Sequence, residues 1–316
     1  MQLSIVTPMY NEEDAIPFLM KSIQTLCSTF NFDYEFIVVD DGSSDSTVEL
    51  CKAEMENWPE LRVVALTANR GHMSAIAAGY EYVQGDYVVT LDADLQDPPE
   101  LIPTMLEKAI AEKLDVVYAV RSDRTVDTRF KAWTASIYYS LIKKISGTEI
   151  PHNAGDFRLV SRQVVKELNA LPERQRIYRL LVPWLGYPSG QVEYARMERV
   201  AGKSHYPLSK MFRLGMDSIT SFSSAPLRIS TYLGMLSLGV TFIGGIYVIG
   251  EHVRGNTVQG WASIMLAILF FGSVQLVSIG LLGEYIARIF VEVQHRPIYS
   301  ATEIFRAGSS QLSDEK

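Results

Sequence analysis

Apolar positions in the first 120 residues fall into five short β-branched runs, at 3–7, 34–39, 61–66, 87–91 and 116–120. Between them lie stretches of helical period at 16–29, 46–57, 73–83 and 101–112. Strand-length runs alternating with helix-length stripes predict a β-α-β-α order and a largely parallel sheet. Near the carboxyl end the pattern changes: 229–249 runs for 21 positions without a charge and 261–283 for 23. Each stretch can cross a hydrocarbon core of about 30 Å, so the two, joined by 250–260, predict a transmembrane hairpin. After it, Tyr285, Ile286, Ile289, Phe290 and Val293 repeat at helical spacing, with Glu284 and Arg288 paired on the other face. That predicts a separate interfacial helix. Phe212, Met216, Ile219 and Phe222 give a second such stripe, suited to the headgroup layer or to packing on the sheet domain. The expected organisation is an α/β sheet domain over 1–209, a juxtamembrane helix over 210–228, the hairpin over 229–283, a second juxtamembrane helix over 284–299 and a polar tail over 300–316.

Ligands of parallel sheets collect outside the carboxyl ends of the strands. The segments leaving those ends are Pro8-Met9-Tyr10-Asn11-Glu12-Glu13, Asp40-Asp41-Gly42-Ser43-Ser44-Asp45, Asn69-Arg70-Gly71-His72, Asp92-Ala93-Asp94 and Arg121-Ser122-Asp123-Arg124, all strongly polar. Alternate residues leaving a strand share a face, so Asp92, Asp94 and Gln96 are expected to point the same way. They would offer hard oxygens suited to a divalent cation that holds a substrate diphosphate, although a plain Asp-rich turn has the same composition. Asp97-Pro98-Pro99-Glu100 predicts a capping arrangement, with Asp97 as N-cap and Pro98 at the first helical position. Asp45 or Ser43 is expected to cap the second helix, whereas Asp40 and Asp41 come too early, so one of them is expected to meet a ligand. Gly71 permits a tight turn, and His72 is either an anion contact or a structural hydrogen-bonder.

Net charge is −7, but residues 1–115 carry 6 Lys and Arg against 21 Asp and Glu, the remainder 23 against 15. An acidic half tolerates a metal-bound anion, and a basic half beside apolar helices suits phosphate and anionic headgroups. Lys203, Lys210, Arg213 and Arg228 precede the first span, Arg288 and Arg296 follow the second, and the loop between holds only Arg254. Both termini and the sheet domain are therefore expected on the cytoplasmic side of the plasma (inner) membrane, as a multi-pass protein. No signal peptide is read at the start. Cys27 and Cys51 lack thiol-motif or metal-ligand spacing, which suggests a reducing compartment.

Thr7-Pro8 with Asn11-Glu12-Glu13, Val39-Asp40-Asp41-Gly42-Ser43, Asn69-Arg70-Gly71, Asp92-Ala93-Asp94-Leu95-Gln96-Asp97-Pro98-Pro99 and Arg121-Ser122-Asp123-Arg124 together resemble the family 2 glycosyltransferases with a GT-A fold. Gly155-Asp156-Phe157-Arg158-Leu159, Leu171-Pro172-Glu173-Arg174, Leu282-Gly283-Glu284-Tyr285 and the double span narrow this to the polyprenyl-phosphate glycosyltransferases. The sequence is most similar to the bactoprenol glucosyltransferase branch, related to dolichyl-phosphate mannose synthase.

The resemblance implies inverting transfer of a sugar, glucose from UDP-glucose, to undecaprenyl or another polyprenyl phosphate, for cell-envelope glycan modification. By the same likeness Pro8, Tyr10, Glu12 and Asp40 would surround the nucleoside, and Asp92 with Ala93 would lie near ribose and diphosphate. Asp94 and Gln96 would hold Mg2+ or Mn2+. Arg121 and Arg129 would meet the donor or acceptor phosphates, and Ser136 and Lys203 the acceptor. Asp156 matches a residue proposed as base in this branch, although a positioning role, pairing Arg158, is the favoured expectation. The implied partners are the nucleotide diphosphate sugar, the polyprenyl phosphate, the bilayer and a second copy of the chain in a homo-oligomer, with no nucleic acid. A processive polysaccharide synthase is disfavoured because Gln175-Arg176-Ile177-Tyr178-Arg179 lacks the Gln-x-x-Arg-Trp pattern. A non-catalytic nucleotide-sugar-binding membrane scaffold is disfavoured by the intact Asp92, Asp94, Gln96 and Arg121.

Overall fold

The computed structural model describes residues 2–122, 154–174, 176–195, 225–254, 260–306 and 309–311. The chain forms two units, Met1–Pro207 with Pro297–Lys316, and Leu208–Arg296. In the first, the five expected strands form at β1 (Gln2–Met9), β2 (Asp33–Asp40), β3 (Leu61–Leu66), β4 (Tyr87–Thr90) and β5 (Val116–Arg121). Helices α1 (Ile16–Cys27), α2 (Thr47–Met55), α3 (His72–Tyr82) and α4 (Ile102–Glu112) lie between them. Leu3, Ile5, Phe36, Val38, Val63 and Val89 meet Leu19, Ile23, Met105 and Leu106 of the helices in one buried core. Both cysteines are buried and free, and burial pushes their thiols up to about 12, so they are unreactive packing groups.

Among the described residues nine strands form one sheet in the order β7-β5-β6-β4-β1-β2-β3-β8-β9. The centre, β3-β2-β1-β4, is parallel as expected. The sequence pattern missed β6 (Ala154–Ser161), which runs antiparallel between β4 and β5 and separates them. Helices α5 (Arg162–Ala170) and α6 (Tyr178–Trp184) follow, and β7 (Ser189–Tyr194) pairs parallel with β5.

The crevice originates between β1 and β4. Their register ends at Val6 opposite Thr90, and the Leu91 amide donates to the Val6 carbonyl at 3.0 Å. Strand β1 continues to Met9 beside β2 while β4 turns away. Val6 and Pro8 address the same side of β1, so the missing Pro8 N–H faces the gap that β4 has left. A proline is thereby accommodated in a central strand, and the carboxyl edge opens there.

The opposite edge is closed by Glu35, which is 2% exposed. Its Oε1 accepts the Ser4 hydroxyl and the Gln84 amide, and Oε2 lies 2.8 Å from Arg62 Nη1. Glu35→Gln would turn an amide NH2 toward one of these donors. It is expected to cost about 2 kcal/mol, in the range of a charged hydrogen bond. The purified chain would then melt about 5 °C lower; an unchanged melting temperature would show that the network contributes nothing.

Of the expected polar tail, 301–306 and 309–311 are instead part of the sheet. Strand β8 (Ala301–Arg306) pairs antiparallel with β3, and β9 (Ser309–Gln311) pairs with β8. The Thr67 amide donates to the Ser300 carbonyl at 2.9 Å, Phe305 packs on the core, and Lys52 Nζ lies 3.8 Å from the Phe305 ring centre. Only Ile304 and Phe305 are large and apolar in this strand, so its composition hid it. The sheet domain thus comprises residues from both sides of the hairpin rather than 1–209 alone.

The second unit holds α7 (Ala225–Val253) and α8 (Trp261–Val293). At 1.5 Å per residue both exceed the roughly 30 Å of a hydrocarbon core. They are long and apolar enough to cross a membrane, with the most apolar windows at Ser230–Tyr247 and Phe270–Val293. Two boundaries differ from expectation. Residues 284–293 continue α8 without a break instead of forming a separate helix, because nothing between Gly283 and Val293 interrupts the backbone ladder. Residues 225–228 already belong to α7, and the rest of the expected 210–228 helix lies outside the described residues. Arg288 and Glu284 pair as expected, at 3.2 Å.

Candidate active site

Three loops at the carboxyl edge are stitched together by side chains bonding to one another's backbone. Asn11, at φ 53°, donates its amide to Ser43 Oγ (2.9 Å) and accepts the Ser44 amide on Oδ1 (2.9 Å). The Glu12 amide donates to Thr47 Oγ1, the Glu13 amide to Asp45 Oδ2, and Glu13 Oε2 accepts the Ser46 amide. Asp45 also accepts the Thr47 amide at 3.1 Å, but the N-cap of α2 is Ser46 and bears no side-chain cap, so neither Asp45 nor Ser43 takes the expected capping position. Asp41 reaches the third loop, accepting the Arg70 amide at 2.7 Å and the Gly71 amide at 2.8 Å. Asp40 Oδ2 accepts the amides of Gly42 and Ser43, each at 3.1 Å. Both aspartates are almost fully buried. Gly42 at φ +71° is required here, since a Cβ would come within 2.6 Å of the Ala68 carbonyl carbon. These carboxylates fix the loop backbones before any ligand arrives.

Beyond β4 the chain leaves the extended conformation, with Leu95 at φ 53° and the Gln96 amide donating to Asp94 Oδ1 at 3.1 Å. The expected alternation nevertheless persists in burial. Leu91, Ala93, Leu95 and Asp97 turn inward, while Asp92, Asp94 and Gln96 are partly exposed. A turn, and not a continued strand, puts these three on the open side.

Asp97 is not a helix cap, which corrects the expectation. A 3-10 turn, Pro99–Leu101, precedes α4, and Pro98 at its N-cap position provides no side-chain acceptor. Asp97 is 2% exposed and accepts hydrogen bonds from Arg121 Nη2 (3.3 Å) and the Tyr194 hydroxyl. Arg121 Nε donates to the Tyr194 oxygen at 3.1 Å. Burial works against the Arg121 charge, but Asp97 and Tyr194 more than offset it. The guanidinium is therefore aimed by two partners, beside Gly155, whose hypothetical Cβ would stand 3.4 Å from Nη2.

Strand β6 carries the remaining chemistry. Thr90 of β4 pairs with Arg158, so Asp92 just past Thr90 comes level with Asp156 just before Arg158. Arg158 is 1% exposed and its Nη2 donates to Asp156 Oδ1. His72, the first residue of α3, places Nε2 3.6 Å from Asp92 Oδ1 and 3.7 Å from Asp156 Oδ2. Burial alone would depress the imidazole, but Asp156 and Asp92 raise it above its usual value. Burial would raise Asp156, yet His72 and Arg158 hold it well below the usual carboxylate range, and Arg179 of α6 contributes. Burial drives Asp92 up to about 6, and Asp156, Asp97 and Asp94 add to this against the pull of His72. The Oδ1 atom of Asp92 is enclosed and lacks a hydrogen-bond partner among the described residues. Four carboxylates thus crowd one edge, and one of them keeps an enclosed oxygen without a hydrogen-bond donor among the described residues.

Such a site fits a divalent cation. Among the described residues no three His, Cys, Asp or Glu side chains converge as a metal cage. One or two protein ligands completed by substrate phosphates are the usual arrangement for Mg2+. Asp94 and Gln96, partly exposed beside Asp92, can supply that protein share.

The structure therefore brings Asp92, Asp94, Gln96, Arg121 and Asp156 to one edge. Pro8 is buried at the end of β1, Tyr10 is 46% exposed beside it, and the Glu12 carbonyl accepts the first amides of α1. Asp40 lies beneath the second loop, and the Ala93 side chain belongs to the core. Arg129, Ser136 and Lys203 lie outside the described residues. Sequence reasoning missed Tyr194 and the bridging position of His72. Tyr194 ends an otherwise featureless strand, and His72 acquires its partners only when β6 is inserted next to β4.

The class follows from these features: an α/β domain with a charged ligand edge, on a chain with two helices long and apolar enough to cross a membrane. Residues 4–168 match the glycosyl transferase family 2 profile, and residues 225–289 match the GtrB C-terminal hairpin. The bactoprenol glucosyl transferase of Shigella phage SfV is 42% identical over 300 residues, covering 95% of this chain and 97% of that protein. A prophage bactoprenol glucosyl transferase homolog of Escherichia coli K12 is 40% identical over 300 residues, covering 95% and 98%. Among solved structures, glucosyl-3-phosphoglycerate synthase from Mycobacterium tuberculosis in complex with Mn2+, UDP and phosphoglyceric acid has a TM-score of 0.48 at 19% identity, covering 69% of this chain and 76% of that one. The chain belongs to glycosyl transferase family 2 and is a glycosyltransferase.

Proposed function

We propose that the chain transfers glucose from UDP-glucose to the phosphate of a polyprenyl lipid such as undecaprenyl phosphate, with inversion, at the cytoplasmic face of the plasma membrane. The product would serve cell-envelope glycan modification. The observation that carries this reading is the open edge bearing Asp92, Asp94 and Gln96, with Asp156 level with Asp92 and Arg121 held by Asp97, on a chain that also bears two membrane-length apolar helices. The bactoprenol glucosyl transferases it resembles along nearly its full length support the acceptor and the sugar.

The donor nucleoside lies in the gap beside Pro8, with Tyr10 and the braced loop over Asp40 around it and the diphosphate against Asp92 and the Ala93 backbone. Asp94 and Gln96 would hold a divalent cation, Mg2+ or Mn2+, which would neutralise charge on the diphosphate. Arg121, held by Asp97 and Tyr194, supplies a second preorganised positive charge toward the leaving group. The acceptor phosphate oxygen bonds to the anomeric carbon as the bond from that carbon to the UDP oxygen breaks, and UDP departs with the electron pair. A phosphate monoester with a second pKa of about 6 is largely dianionic at neutral pH, so it attacks without surrendering a proton. Asp156, ionised and paired with Arg158 and His72, is a poor proton acceptor and acts as a positioning group. Arg129, Ser136 and Lys203 are assigned to the acceptor phosphate. The two apolar helices would anchor the chain in the same bilayer that holds the isoprenoid tail, with both chain ends cytoplasmic.

The test is to incubate the purified chain with Mg2+, undecaprenyl phosphate and a panel of nucleotide sugars, and to identify the lipid product by mass. A hexosyl phosphate lipid with UDP-glucose is expected. No lipid product with any donor would overturn the reading.

A further inference from the structure

We propose that His72 is a positioning residue for sugar transfer, a bridge that holds the Asp156 end of β6 against the Asp92 end of β4. The inference rests on reading Asp92 and Asp156 as parts of the transfer site. It starts from topology. Strands β4 and β6 run antiparallel, and their common register ends at Thr90 opposite Arg158. Past that point no ladder hydrogen bond joins them, yet both segments carry a carboxylate. Asp92 and Asp156 repel one another at neutral pH and would push the strand ends apart.

One group stands between them. The Nε2 of His72 lies 3.6 Å from Asp92 and 3.7 Å from Asp156, and the side chain is 40% exposed, so it faces the open edge. Arg158, by contrast, engages Asp156 from the buried side and leaves Asp92 unpartnered. His72 is itself held firmly. Gly71 turns the chain at φ +93°, Asp41 accepts the Arg70 and Gly71 amides, and His72 opens α3. A cation on a braced loop spanning two strand ends transmits the position of the nucleotide-side carboxylate to the β6 carboxylate.

A bridge of this kind requires a cation, whereas simple packing requires only volume. In the full-length enzyme, His72→Gln and His72→Leu are expected to lower kcat for UDP-glucose about 100-fold, the scale of misplaced catalytic groups. The donor KM should change less than about threefold, because the interaction matters in the transition state rather than for ground-state binding. His72→Lys, which restores a cation, should recover all but about tenfold of the loss. Wild-type turnover tests the proposed function; the ratios among variants test the bridge. A second readout does not need turnover: in His72→Leu, amide hydrogen exchange should accelerate over 154–157 and remain unchanged over β1 to β3. Equal activity of the Lys and Leu variants, loss confined to donor KM, or unaltered exchange over 154–157 would overturn the proposal.

Discussion

Asp94→Asn is expected to abolish most glycosyl transfer while leaving the fold intact. Asparagine keeps the shape of the side chain and a carbonyl oxygen that can still accept the Gln96 amide, so the turn after β4 is preserved. What disappears is one negative charge on the partly exposed side of the edge, where Asp94 and Gln96 are proposed to hold the cation. Charge stabilisation by a bound cation contributes several kcal/mol to the transition state, so a fall of about 1000-fold in kcat is expected at fixed Mg2+. Raising Mg2+ should recover part of that loss, and the melting temperature should stay within about 2 °C of wild type. Asp97→Asn separates the two acidic roles. It removes the charge that aims Arg121 from a side chain that is 2% exposed, so it should lower stability as well as rate. If Asp94→Asn retains more than a tenth of wild-type activity at the same metal concentration, Asp94 does not hold the cation.

The contrast between Asp94 and Asp97 also shows what the sequence could convey. Asp97-Pro98-Pro99-Glu100 has the composition of a helix start, and local preference alone would make Asp97 a cap. The structure spends that carboxylate on Arg121 and Tyr194, both distant in sequence, and lets a 3-10 turn begin the helix without a side-chain acceptor. Local pattern found the central strands and the helices between them because each buries one regular stripe against a regular neighbour. It failed at β6, where Asp156 and Arg158 sit in a strand buried for most of its length. A charge inside a sheet reads as solvent-facing unless its partner is known. It failed again at β8, where pairing to the β3 edge and a contact between Phe305 and Lys52 compensate for a weakly apolar sequence. The polar edge was legible because strand-end loops concentrate Asp, Asn and Gly. The division of labour within it was not, since Asp41 holds the Arg70 and Gly71 amides and Asp45 the Glu13 amide across loops that only the fold brings together, while Asp40 braces its own loop.

The largest stability effect is expected at Arg158. Its guanidinium is 1% exposed, in register between Thr90 of β4 and Tyr118 of β5, and it donates to Asp156. Arg158→Met retains most of the volume but leaves the Asp156 carboxylate without its buried partner. Removing one member of a buried pair costs about 3–5 kcal/mol, because the remaining charge is not compensated. Replacing both members with apolar groups is far less damaging, so Arg158→Met with Asp156→Leu should melt above Arg158→Met alone, although both should be inactive. The pH dependence follows from Asp156, which His72 and Arg158 hold below its usual range. A depressed carboxyl stabilises the fold at every pH above its unfolded value of about 3.9, and that stability is lost as pH falls through the lower folded value. Wild type should therefore keep this contribution at every pH from 4 to 8 and lose it only in stronger acid, whereas the deficit of Arg158→Met should be largest where the unpaired Asp156 is fully ionised and should shrink as acid protonates it. Melting curves of the three proteins from pH 4 to 8 decide the matter: a single variant as stable as wild type, or a double variant less stable than the single, would show that the pair does not hold β6 in the sheet.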